Sequence, residues 1–576
     1  MKYSFGFYAL LSLLLVGLTH CTEPQETADV LFVNGQIYTV DADESTVSAV
    51  AVKDGRILAL GNAEDLTSYA NEATETIDLN GAFVMPGFIE GHGHFSGLGA
   101  SLMNLNFLKS RSWDEIVRMV AEKAATTEEG EWITGRGWHQ EKWDERPEDA
   151  VGDYPVHHSL SEISEDNPVM LRHASGHSLY ANAKAMELAG VSAETPDPRG
   201  GRIVRDSRGN PVGVFEERAM KLITDAYAAY RSGLSQDDLQ AEWREGIRLA
   251  QEECLAKGIT SFQDAGSNVR EIDDYETMAN QGELDLRLWV MMRLYGRPAA
   301  EIAEQLPERL PILDAGDHFF TCRAIKSEVD GALGAFGAWL LEPYDDKPDF
   351  VGQNTTMVES VDSIAEVALE NGLQLCVHAI GDKANQEVLN IMERKFADLE
   401  GEQDLRWRIE HSQHLHPDDI PRFAELGVIA SMQAIHCTSD APFVVKRLGE
   451  QRAREGAYPW RSLLDAGAVV TNGTDAPVED VDPIASYYAS VTRKRPGIEP
   501  AFFPEQAMTR AEAVYSYTMA NAYAAFEEND KGSLEPGKLA DMVVLSNNLL
   551  TCPEGDILKT DILKTIVGGE VKYEKE

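Results

Sequence analysis

Pro86-Gly87-Phe88-Ile89-Glu90-Gly91-His92-Gly93-His94 is the stretch on which the fold turns. An apolar run, 82–85, leads into it, so the segment reads as a strand. Side chains alternate along a strand, which puts His92 and His94 on the same side. Gly91 and Gly93 leave space around them. Two imidazoles at a strand end suit a divalent transition ion such as zinc. Neighbouring histidines are also often incidental, so the other ligands have to come from the rest of the chain.

Eight apolar runs alternate with helical stretches, as a parallel barrel requires: 83–89, 259–263, 286–292, 322–328, 373–377, 407–410, 428–432 and 469–472. The expected fold class is α/β, with a (β/α)8 TIM barrel over 86–529. After the first strand comes a large insertion, about 97–257, with helices of its own at 113–125 and 239–257. It is too long for a simple connection and is expected to lie over the barrel mouth. The two chain ends have a different texture. Short apolar runs broken by the turn signals Asn34-Gly35 and Asp54-Gly55 fill 28–85, and 530–576 repeats the pattern. Together they are expected to form one small β-sandwich.

Barrel enzymes carry their chemistry at the C-terminal ends of the strands. His92 and His94 end the first strand, Lys326 lies in the fourth, His378 ends the fifth, His411 ends the sixth, and Asp475 follows the eighth. Six metal-compatible groups in this register are hard to obtain by chance. Asp264, ending the second strand, is a carboxylate that could orient a ligand.

At this point the chain resembles a known family. It is similar to the amidohydrolase superfamily, in the branch called amidohydrolase family 3, from residue 28 to residue 573. The resemblance is carried by the His-x-His pair, Asp330-Gly-Ala-Leu-Gly, Val377-His-Ala-Ile-Gly-Asp, Arg408-Ile-Glu-His, Thr474-Asp-Ala-Pro and Gly537-Lys-Leu-Ala-Asp. Insertion motifs add to it: Gly135-Arg-Gly-Trp138, Trp143 with Arg146-Pro147, and Ser175-Gly-His177-Ser. The resemblance implies that His92, His94, His378, His411 and Asp475 are metal ligands for one or two ions, most often zinc. Lys326 stands where relatives carry a carbamylated lysine, whose carbamate oxygens can bridge two ions. The alternative is a buried lysine paired with Glu328 or Asp330. The chain also departs from its relatives. Ala335-Phe336-Gly337 replaces the usual Ser-Arg-Thr, and His173 and Ser175 stand where an aspartate is common. Substrate preference therefore does not transfer.

The implied reaction is hydrolysis of an amide-type C–N bond in a small molecule, N-acyl or cyclic. A metal would polarise the carbonyl and acidify a water. Asp475 would carry the proton to the leaving nitrogen, and His436, after the seventh strand, would stabilise the oxyanion. His177 reads as a substrate contact or as a structural hydrogen bond. Trp138 and Trp143 read as pocket walls or as core. Two other classes remain open: an isomerase or decarboxylase on the same barrel, and an inactive exported substrate-binding lipoprotein.

Charge narrows the partners. The chain has 96 acidic against 51 basic residues, a net charge of −45, which disfavours nucleic acid or an anionic membrane surface. The N-terminus, 1–21, reads as a signal peptide: Lys2, an apolar run over 5–18, then Leu18-Thr-His-Cys21 in the manner of a bacterial lipobox. His20 stands where that pattern has a small residue, so export to the periplasm or envelope is expected either with a lipid on Cys21 as the only membrane attachment or through an ordinary cleaved secretory signal. Cys254, Cys322, Cys376, Cys437 and Cys552 are scattered without a CxxC pair, which suggests neither a thiolate metal site nor a disulfide framework.

Overall fold

Eight parallel strands make the centre of the molecule: β1 (Phe88–Gly93), β2 (Ile259–Ser267), β3 (Arg287–Met292), β4 (Phe320–Glu328), β5 (Gln374–Ala379), β6 (Arg408–His411), β7 (Ile429–Met432) and β8 (Val470–Asn472). The computed structural model describes residues 26–576 except 108, 141, 142, 146, 148, 153, 174–177, 200, 294–298, 307–309, 335, 398 and 400–403. The signal segment with Cys21, and His177, therefore lie outside the described residues. The strands pair in sequence order from β1 to β8, and a short strand, Ile312–Asp314, adds antiparallel to β4. The ladder stops between β8 and β1. These two strands still meet, since the Asp475 N–H donates to the His92 carbonyl at 2.7 Å, so the barrel is nearly closed.

The strands read as they do because both faces are buried. β3 (Arg-Leu-Trp-Val-Met-Met) is buried at every position, the pattern of a central parallel strand. Helices between strands cover the outside. α1 (Phe95–Met103) follows β1 and packs against α2 (Gln236–Ala256) so closely that a Cβ on Gly99 would lie 2.2 Å from the Gly246 carbonyl oxygen. α2 begins with a Ser235/Asp238 capping box.

One expected boundary needs correcting. The run 83–89 is two strands, not one. Phe83–Pro86 pairs antiparallel with Met542–Leu545 near the C-terminus, and the barrel strand starts only at Phe88. Pro86 has no N–H to continue a ladder. At Gly87 a Cβ would lie 2.2 Å from the Thr260 side chain, so the chain turns there from one sheet into the other.

Two further sheets flank the barrel. One orders Arg56–Gly61, Ala49–Lys53, Val30–Val33 and Glu75–Asp78. The other runs Glu570–Glu574, Ile562–Val567, Met542–Leu545, Phe83–Pro86, Gln36–Tyr38 and Thr46–Val47, mixing strands from both ends of the chain. Phe32 and Val50 of the first share an apolar cluster with Val84, Met542 and Ile566 of the second. A separate six-stranded sheet, formed between residues 105 and 217, occupies the stretch between β1 and β2.

Candidate active site

β1 delivers His92 from its interior face, fully buried, and His94 sits one residue past the strand end as the N-cap of α1. β6 ends on His411, and Asp475 follows β8 by three residues. Both His411 (φ 76°) and Asp475 (φ 59°) adopt the left-handed backbone region, which costs a residue with a side chain about 1–3 kcal/mol. Asp264 anchors the neighbouring turn, accepting the Phe95 N–H at 2.9 Å and the Ser267 hydroxyl at 2.5 Å.

Side-chain atoms of His92, His411 and Asp475 converge within 4.8 Å of one another. Asp475 Oδ1 lies 3.2 Å from His94 Nε2 and 3.7 Å from His92 Nε2. The His378 ring is 4.4 Å from the His411 ring, centroid to centroid. Lys326 Nζ is 3.5 Å from His92 Nε2. All six positions named from the sequence thus form one contiguous group, with His92, His411 and Asp475 at its centre.

Hydrogen bonds fix which nitrogen each ring presents. His92 donates through Nδ1 to Glu410, leaving the Nε2 lone pair turned toward Asp475 and Lys326. His411 donates through Nδ1 to Gln433 Oε1 at 2.7 Å, and Gln433 is oriented by its own bond to the Ser431 carbonyl. Both rings therefore offer a bare Nε2, the arrangement a metal-binding imidazole needs. The group also fits a cation by its unmet needs: among the described residues, His378 Nε2 is buried without a hydrogen-bond partner, the Asp330 carboxylate standing 3.7 Å away.

Burial holds the rings neutral. It pulls His92 down to about 4, reinforced by Lys326, and His378 down to about 3. His411 is likewise pushed well below its usual value, by burial and the neighbouring histidines. Burial alone would raise Asp475, but the His94 ring beside it holds the carboxylate well below its ordinary range. Burial also lowers Lys326. Neither suggested ion pair of Lys326 forms. Glu328 pairs with Arg293, while Asp330 accepts the backbone N–H groups of Trp339, Ile380 and Gly381 at 2.8–2.9 Å.

His436 stands beside this group at the start of α3 (Ala434–Leu448), its ring 6.3 Å from that of His411. Gln413 Nε2 donates to its Nδ1 at 2.9 Å, so Nε2 carries the hydrogen, and that atom has no partner among the described residues. Trp138 is elsewhere. It is fully buried in the core of the sheet before β2, packed on Tyr154 and Tyr180, with its Nε1–H donated to the Leu171 carbonyl. Among the described residues it packs as core, the second of its two readings. Trp143 packs against the same cluster.

Residues without a role in the sequence reading complete the site. Glu410 is fully buried between His92 and Arg408, whose Nε is 2.7 Å from Glu410 Oε1. Arg408 also donates to Gln263 Oε1, the Gly91 carbonyl and the Ser431 hydroxyl. The clue was in Arg408-Ile-Glu410: two charges spaced by two in an interior strand share a face and must pair.

Comparisons with known proteins agree with this geometry. Residues 75–573 match the model of the amidohydrolase family. Protein LONG AFTER FAR-RED 3 of Arabidopsis thaliana is 33% identical over 552 residues, covering 95% of this chain and 92% of its own length. N-substituted formamide deformylase of Arthrobacter pascens is 27% identical over 573 residues, covering 95% of this chain and 98% of itself. Among solved structures, a metal-dependent hydrolase from Pyrococcus furiosus superposes with a TM-score of 0.71 at 28% identity, over 91% of this chain and 100% of that one. A nearly closed parallel barrel, a buried His-His-Asp group at the strand ends and a family match over most of the length lead to one conclusion: the chain belongs to the amidohydrolase family, whose members are metal-dependent hydrolases acting on C–N bonds.

Proposed function

We propose that this protein hydrolyses an amide-type C–N bond of a small molecule, at a divalent metal held by His92, His94, His378, His411 and Asp475. The observation that carries the reading is the pair of bare, neutral Nε2 atoms on His92 and His411 converging on one ionised carboxylate. Zinc is the proposed ion, since imidazole and carboxylate are its ordinary ligands. When bound, it would polarise the scissile carbonyl and bring the pKa of a water near neutrality.

The protein's own groups do the rest. Asp475, ionised and buried, takes the proton from the attacking water and passes it to the leaving nitrogen. His436 donates its free Nε2–H to the developing oxyanion. Lys326 is proposed to be carbamylated. Its amine is buried, lowered in pKa and free of an ion pair among the described residues, and the neutral amine is the form that takes up carbon dioxide. The N-acyl substrate class is supported by the deformylase relative, whose name gives an N-substituted formamide as its substrate.

Two proposals concern the rest of the chain. The flanking sheets form one sandwich domain shared by 28–85 and 530–576, with the barrel and its insertion between them. Residues 1–21 direct export, with a lipid on Cys21; Cys21→Ala would then release the protein from the membrane fraction.

The test is metal analysis of purified protein followed by turnover of N-acyl compounds in isotopically labelled water. Label in the released carboxylate supports hydrolysis. Turnover without label incorporation would replace it with a non-hydrolytic reaction.

A further inference from the structure

β1 and β8 carry His92 and lead into Asp475, yet no strand ladder joins them. Beside the backbone bond from Asp475 to His92, buried side chains bridge the two strands. Asn521, on α4 (Met519–Ala524), donates through Nδ2 to the Ile89 carbonyl at 2.6 Å and to the Asn472 carbonyl at 2.8 Å, one from each strand. Glu90, on β1, accepts the Thr474 N–H at 2.6 Å and the Thr474 hydroxyl at 3.1 Å. The same carboxylate accepts the His92 N–H at 3.3 Å. Glu90, Thr474 and Asn521 are all fully buried, and Asn472 is 1% exposed.

The fit is close on both sides. A Cβ on Gly91 would lie 2.4 Å from both Asn472 O and Asn521 Oδ1, and one on Gly473 would lie 2.5 Å from Glu90 Oε1. Between other strands of the barrel, backbone hydrogen bonds set the spacing. At this seam the backbone supplies the Asp475 N–H to the His92 carbonyl and the His94 N–H to the Ala476 carbonyl, both at 2.7 Å, and two buried side chains span the rest. We propose that Glu90 and Asn521 are positioning residues that set the spacing of His92 and Asp475, and through it the affinity and coordination of the ion they hold. The inference rests on the metal-site reading above.

The test uses the full-length protein stripped of metal and titrated with Co2+, read by chelator competition for Kd and by the visible spectrum for coordination. Asn521→Leu and Glu90→Leu remove the bridging groups at similar volume. Each is expected to raise Kd about 10–100-fold, as loss of groups supporting a ligand does, and to shift the Co2+ bands. Glu90→Gln keeps an oxygen for the Thr474 N–H and is expected to return Kd to within about 3-fold of wild type. Leucine variants that melt cooperatively with wild-type Kd and spectrum would overturn the proposal, whatever their melting temperatures. Should they fail to fold, Asn521→Ala is read by the same two signals and the same rule. A wild-type protein that binds no Co2+ would instead bring down the metal site itself, and this inference with it.

Discussion

Glu410 accepts the Nδ1 hydrogen of His92, and neither side chain touches solvent. Burial alone would raise the Glu410 carboxyl, but the Arg408 charge and the His92 hydrogen bond hold it well below its usual range. A fixed carboxylate behind an imidazole makes the other nitrogen a better and better-aimed ligand. Glu410→Gln keeps an acceptor for His92 but removes the charge. Metal affinity is expected to fall about 10–100-fold, measured by chelator competition on folded protein.

Asp475→Asn separates metal binding from proton transfer. The amide oxygen can still face the ion while the proton acceptor is gone. Turnover is expected to fall by about 10²–10⁴-fold, the usual worth of general acid–base catalysis, with metal content largely retained. His92→Ala, in contrast, is expected to lose metal. Equal metal loss in both would remove the separate role of Asp475.

Lys326→Ala is expected to lose metal and activity, and to regain part of the activity when formate or acetate is added, because a short carboxylate can stand where the carbamate would be. Lys326→Met, filling the space without supplying an anion, should respond to the same additives less or not at all. Rescue absent across a wide concentration range would argue for an unmodified lysine.

Arg287, the first residue of β3, meets Asp541 in a two-pronged pair, at 2.7 and 3.0 Å, that ties the barrel to the C-terminal strands. Burial acts to raise the Asp541 carboxyl, but Arg287 beside it holds it below its ordinary value. A carboxyl depressed in the fold adds stability above its unfolded pKa, about 3.9, and that stability disappears as pH falls toward the folded value. Acid unfolding is therefore expected to steepen below pH of about 4. Asp541→Asn should flatten that limb and cost about 3–5 kcal/mol at neutral pH, because Arg287 stays buried without a counter-ion. Removing everything from Gly532 onward deletes Asp541 and three strands, and is expected to leave an insoluble chain.

The strand-end ligands could be read from the sequence because period-two spacing and apolar runs fix which residues face inward and where each strand stops. That sets His92, His94, His378 and His411 at strand ends and Asp475 just past one; their role as ligands comes from the resemblance, and His411, next to the inward-facing Glu410, reaches the group through its left-handed backbone (φ 76°). The boundary at Pro86-Gly87 could not be read in the same way, since an uninterrupted apolar run carries no mark of which sheet each half joins. Trp138 shows a similar limit: an aromatic beside glycines fits a pocket wall and a core equally well until its indole N–H finds the Leu171 carbonyl. Glu90 and Asn521 are further apart in the chain than any motif, and only the closing of the barrel brings them together.

The most direct test of the metal site is anomalous X-ray scattering from crystals of zinc-loaded protein, measured on either side of the zinc edge. A peak is expected about 2 Å from His92 Nε2, His411 Nε2 and an Asp475 oxygen, with His94 and His378 closing around it. No peak there, or a single peak held by other residues, would contradict the proposed site.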